Sequence, residues 1–288
     1  MTNRISDNIP LLVLLMVVID SLHFVFGRLF GRYLPPAVSS FYLLAVATVQ
    51  VGAYMWWRGL IRWDILRRHF FFFSVVGFLV AGATILGYFA VLYVDAGTAA
   101  LLTRSSIIFA LFFSLVWLKE RLTMWQWAGA AVALVGVVII SFQPGDFLRL
   151  GSLLVIGAAF MYALHVAVVK KYGDDIEFAN FFLYRVLFTT LFLLFVMVGQ
   201  GQMMWPTGEV WFIFIGGALL NVIVSRILYY VALRKLTLSL HSIVLMLSPV
   251  ATIGWGLLLF AERPSLQALL GGLAVIGGIL IVNYGSKT

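Results

Sequence analysis

Four charged side chains stand inside long apolar runs of this chain: Asp20, Arg104, Arg185 and Arg226. A charge surrounded by hydrocarbon is costly, so such residues face a wet cavity or a partner. Three of the four are cationic. A cavity lined by guanidinium groups favours a ligand carrying a carboxylate or another anionic group, because arginine offers a fixed fork of donors. It disfavours lipophilic cations, which need an embedded carboxylate. The competing use of each arginine is structural: pairing with Asp20, bonding helix-end carbonyls, or reaching back to the interface.

Two histidines extend the set. His23 and His165 could serve as gate residues or as groups that titrate near neutral pH. They could equally be interior histidines pinning adjacent helices. Asp20, His23 and Pro249 are therefore candidates for gating or proton coupling.

The elements that must position these groups are hydrophobic helices. Hydrophobic residues make up 63% of the 288, charged residues 10%, and the mean hydropathy is +1.08. A soluble domain carries about 25% charged residues, so this chain cannot cover itself with a polar surface. Its apolar runs are continuous rather than alternating at period two, which selects helices over barrel strands. The expected class is all-α and polytopic, with the lipid bilayer as a partner. Ten spans are predicted: 9–30, 36–57, 69–93, 97–118, 124–142, 148–170, 177–199, 209–232, 238–260 and 265–284. The first continues through Asp20, His23 and Arg28 without a small-residue cleavage site, as a retained helix rather than a signal peptide does. Pro249 should kink the ninth span.

The net charge of +8 resides in short clusters between the runs, as in cytoplasmic loops, and does not call for nucleic acid. About twelve lysines and arginines fall on one side and about four on the other, placing both termini in the cytoplasm. A bacterial inner membrane is the expected location. There is no cysteine, and no zinc, Fe–S, HExxH, GxSxG or Walker A pattern, so no metal, cofactor or enzyme activity is expected.

The chain also repeats itself. A shift of 142 residues carries Tyr88 onto Tyr230, Ser106 onto Ser248, Glu120-Arg121 onto Glu262-Arg263, and Gly129 and Gly136 onto Gly271 and Gly278. It carries Leu22-His23 onto Leu164-His165 and Tyr42 onto Tyr184. This divides the chain into 1–146 and 147–288, each with five spans. An odd number of spans inverts the second half, an arrangement used by transporters that hold substrate near the midplane. Inversion puts Glu120 and Glu262 at opposite faces, as helix-end groups rather than one acid–base pair.

These halves resemble the drug/metabolite transporter superfamily, in particular its ten-helix EamA-type members. The resemblance rests on the helix–turn–helix segments ending in Glu120 and Glu262, the glycine-spaced helices that follow, and the Tyr184-Arg185 step. Ile107 stands where the family usually has proline, while Pro249 keeps it in the second half. Within the superfamily the pattern is most similar to amino-acid exporters of the YddG type. The resemblance implies export of aromatic and other neutral amino acids by alternating access. It also implies that the third, fourth, eighth and ninth spans line the central cavity. On the third and eighth spans, Thr84, Tyr88, Asn221 and Ser225 share helical faces. Ser106 and Ser248 are candidates near the midplane, Arg104 and His165 are further binding candidates, and Met161, Met246 and Trp255 could supply an apolar wall. A carrier of another small anionic or drug-like metabolite is the alternative, and a membrane-embedded enzyme a distant one.

Overall fold

Continuous runs of leucine, valine, phenylalanine and alanine can satisfy their backbone groups in hydrocarbon only by winding into helices. The computed structural model describes residues 9–117, 123–141, 149–173, 175–229 and 248–285, and all regular structure among them is helical. In order these are α1 (Ile9–Phe30), α2 (Pro36–Trp57), α3 (Trp63–Arg68), α4 (Phe70–Ala90), α5 (Ala96–Thr103) and α6 (Ser106–Val116). They continue as α7 (Met124–Ser141), α8 (Leu150–Tyr172), α9 (Phe178–Gly199), α10 (Gly208–Tyr229), α11 (Ser248–Phe260) and α12 (Leu266–Gly285). Five of them, α2, α4, α8, α9 and α10, are long and apolar enough to cross a membrane. Shorter apolar helices, among them α7, α11 and α12, accompany them.

The ends follow from local chemistry. Pro36 opens α2 with its backbone already set for a helix. α2 closes at Gly59, whose φ of +64° lets Leu60 N–H reach back to Met55 O at 2.9 Å. α9 closes in the same way at Gly201, φ +65°, with Gln202 N–H on Met197 O at 3.1 Å. Asp95 caps α5, accepting from Thr98 N–H at 2.8 Å.

Three features depart from the sequence reading. The short helix α3 was not foreseen. The fourth span is two helices, because Arg104 and Ser105 N–H bond three residues back, to Leu101 O and Leu102 O at 3.1 and 2.9 Å. The break therefore occurs without a proline at Ile107. Inside α10, Ala218–Val224 winds as a π-helix, a form that widens the turn and often marks functional sites.

Packing is closest where glycines meet. α7 and α12 run antiparallel, with Gly129 against Gly278 and Gly136 against Gly271. A Cβ on Gly136 would lie 2.6 Å from Gly271 O. Gly77 of α4 admits Phe188 of α9, where a Cβ would come within 2.8 Å of the Phe188 carbonyl carbon. α2 and α9 are also antiparallel: Asn180 accepts from Arg62 N–H at 3.0 Å, and Tyr184 OH donates to Arg62 O at 2.9 Å. Thr48 and Thr190, 142 residues apart, share a hydroxyl hydrogen bond of 2.9 Å. At the opposite end from Arg62, Arg28 pairs with Glu262 at 2.7 Å and also donates to Val91 O, while Glu262 accepts from Ala96 N–H at 3.1 Å.

Candidate functional site

α1, α2, α4, α9 and α10 line a cavity of about 60 Å³. α4 presents Thr84 and Tyr88 one turn apart, and α10 presents Asn221 from its π-helical stretch. α9 brings Arg185 and Thr189, also one turn apart, and α10 adds Arg226. His23 of α1 closes the ring, its centroid 6.0 Å from that of Tyr88.

The polar groups form one seam. Arg226 donates to Tyr162 OH on α8 at 3.2 Å. Tyr162 lies within electrostatic reach of Arg185, and His23 of both Arg226 and Asp20. Arg185 and Arg226 hold further protein contacts. Tyr88 is 1% exposed, yet its hydroxyl has no hydrogen-bond partner among the described residues. His165 is 6% exposed, its ring 5.3 Å from Tyr162, and neither of its nitrogens has a partner among those residues.

The remaining candidates lie elsewhere. Arg104, at the α5–α6 break, donates to Asp20 at 3.4 Å, the structural pairing weighed above. Ser106 is the first residue of α6. Met161 packs into the notch of Gly82 between α8 and α4, beside Leu79 and Val80, rather than onto the cavity. Ser225 is buried one turn from Asn221. Ser248 and Pro249 are buried at the start of α11, where Ser248 O accepts from Thr252 at 3.0 Å. Met246 lies outside the described residues. Thr189 and Tyr162 were not singled out in the sequence. The first sits one turn from Arg185 and the second three residues from His165, spacings that place each pair on one helical face.

Another cleft, of about 240 Å³, lies at the end of the molecule between Arg28, Arg32, Phe260 and Glu262. There the Arg32 guanidinium stacks 4.8 Å from the Phe260 ring, and Arg28 is held by Glu262. No group of three potential metal ligands occurs among the described residues.

Known proteins agree with this architecture. A chain of known crystal structure superposes with a TM-score of 0.64 at 16% identity over 96% of each chain, a likeness of fold alone. The chain is 27% identical over 196 residues to an uncharacterized transporter, YdfC, of Bacillus subtilis, covering 65% of this chain and 62% of that one. It is 29% identical over 194 residues to a riboflavin transporter of Vibrio cholerae, covering 66% and 63%. These matches thus span a little under two thirds of the two relatives' lengths. A probable terminal-alkyne amino-acid exporter of Streptantibioticus cattleyicolor is 26% identical over 216 residues, 71% of each chain. The model of the EamA-like transporter family matches twice, at residues 8–142 and 149–284, and the chain belongs to that family of membrane transporters.

Proposed function

We propose that this protein is a secondary transporter that exports small metabolites, foremost aromatic and neutral amino acids, from the cytoplasm. Its ten spans would form two inverted five-helix halves, 1–146 and 147–288, that rock about the central cavity. The observation that carries the reading is the cavity itself: α1, α2 and α4 of the first half and α9 and α10 of the second converge there with two arginines and a ring of hydrogen-bonding groups. At about 60 Å³ it is far smaller than the few hundred Å³ of a ligand pocket, so substrate entry requires the helices to part.

Inversion is supported by paired contacts. Gly129–Gly278 and Gly136–Gly271 exchange into one another under the 142-residue shift, and Thr48 meets its own counterpart Thr190. Helices that meet their counterparts antiparallel are related by an axis across the helices, as an axis in the membrane plane would be. Both termini then face the cytoplasm, and the Arg28–Glu262 end faces outward across a bacterial inner membrane. The named amino-acid exporter among the relatives supports the substrate class, and the pattern of the halves supports the YddG-type subgroup. A second reading, a carrier of another small metabolite, draws on the named riboflavin transporter.

Counterflow into proteoliposomes separates these readings. Phenylalanine, leucine, riboflavin, a phosphate ester and a quaternary ammonium compound would be compared. The expected result is uptake of the amino acids; uptake of riboflavin or the phosphate ester alone selects the second reading. Failure of every amino acid removes the first.

A further inference from the structure

We infer that the central cavity recognises its substrate through a carboxylate, held by Arg185 and Arg226, and gives a substrate ammonium group no charged partner. The inference rests on the reading of this cavity as the transport site and adds which part of the substrate is read.

The supply of charge decides it. Of the 11 acidic residues in the chain, Asp20 is the one in the interior of a predicted span, Glu177 and Glu209 standing at the first position of theirs, and it lies 3.4 Å from Arg104. No aspartate or glutamate lines the cavity among the described residues. The 230–247 segment contains no acidic residue at all. The cavity wall thus carries two guanidinium groups and no carboxylate among the described residues, an excess of positive charge. In a low-dielectric setting an arriving anion relieves that excess and an arriving cation adds to it.

The neutral groups complete the site. The Tyr88 hydroxyl, fully buried and without a partner among the described residues, points to a missing ligand group on the α4 side. The hydroxyls of Thr84 and Thr189 donate within their own helices, to Val80 O at 2.7 Å and Arg185 O at 2.8 Å. Their lone pairs are left as acceptors. Such groups take neutral hydrogen bonds from an amine or hydroxyl without requiring its charge. The guanidinium groups, by contrast, gain a charge-assisted fork only from an anionic oxygen.

The test compares three probes of one shape on the wild-type protein in lipid nanodiscs, by equilibrium binding: phenylalanine, 3-phenylpropionate, which lacks the amine, and phenylalaninamide, which lacks the carboxylate. Expected is binding of 3-phenylpropionate within about threefold of phenylalanine, and weaker binding of phenylalaninamide by roughly ten- to a hundredfold. In Arg185→Gln and Arg226→Gln, checked for folding by thermal unfolding, the gap between phenylalanine and its amide should close. Equal binding of the amide, loss of 3-phenylpropionate, or no binding by either carboxylate overturns the inference. Carboxylate-selective binding without counterflow keeps it and removes the transport reading. Counterflow of a probe without a carboxylate, unaffected by Arg226→Gln, does the reverse.

Discussion

α11 packs on α1 and α6 packs on α8, and the two joints occupy corresponding places in the 142-residue repeat, yet they are built of different material. At the first, Thr252 donates to Ser21 O at 2.9 Å and Trp255 Nε1–H to Ser21 Oγ at 3.0 Å. The Arg28–Glu262 pair and the Glu262–Ala96 bond extend that joint to the helix ends. At the second, Ala163 stands in place of Ser21, Ala110 in place of Thr252 and Phe113 in place of Trp255. Phe113 there meets the Phe160 ring at a tilt and Phe109 meets it edge-on, with centroids 5.6 and 5.4 Å apart. Glu120, the counterpart of Glu262, lies outside the described residues. Directional bonds fix register. Apolar contacts gain little over lipid and tolerate sliding. The α6–α8 joint is thus the more readily displaced, and the α1–α11 joint the more firmly held.

Removing the strongest bond tests that contrast hardest. Glu262→Ala deletes the ion pair and the bond to Ala96 N–H, and should destabilise by about 2 kcal/mol. The cost falls short of that of a fully buried pair because the Arg28 side chain is 35% exposed. Thermal unfolding in detergent reads it, and a loss comparable to that of a surface pair would remove Glu262 from the joint. Trp255→Phe copies the residue of the other joint and should cost about 1 kcal/mol, the worth of one hydrogen bond. If Phe113→Leu, which removes no polar contact, is slowed in transport as much as Trp255→Phe, the contrast fails. The neighbour Ala261 has φ of +54°, a conformation costly for any residue with a Cβ. Ala261→Gly should stabilise by about half a kcal/mol once glycine's own entropy is counted; a loss would mean that the alanine methyl contributes packing. The smallest change is a graft. Ala163→Ser with Phe113→Trp should add about half a kcal/mol and slow counterflow by fastening the second joint. Unchanged counterflow would show that this joint does not move.

Helix positions were legible because apolar runs end where turn residues begin: the predicted spans 9–30 and 36–57 coincide with α1 and α2. The Arg104–Ser105 break was hidden because it uses a shift in hydrogen-bond partner rather than a proline. The π-helical stretch of α10 leaves no mark on composition, although it carries Asn221. Short α3 holds Arg67 and Arg68, which read as loop charges. Within the site, Thr84, Tyr88, Asn221 and His23 could be selected as polar tips on apolar faces, and the structure brings them together. That Arg185 and Arg226 line one cavity while Arg104 turns to Asp20 depends on how the helices face each other, which no single helix encodes. Met161 shows the converse: its destination was set by the absence of a side chain at Gly82 on another helix.

The glycine pairs of α7 and α12 have a mechanical consequence. Two notches seven residues apart engage at Gly129–Gly278 and Gly136–Gly271, so backbone lies against backbone at points about 10 Å apart along the axis. Neither helix can slide or roll without riding up over the other's peptide groups. The two therefore act as a single shaft. A displacement of α7 is passed to α12 at both notches, so relative motion of the rest of the two halves pivots about that edge.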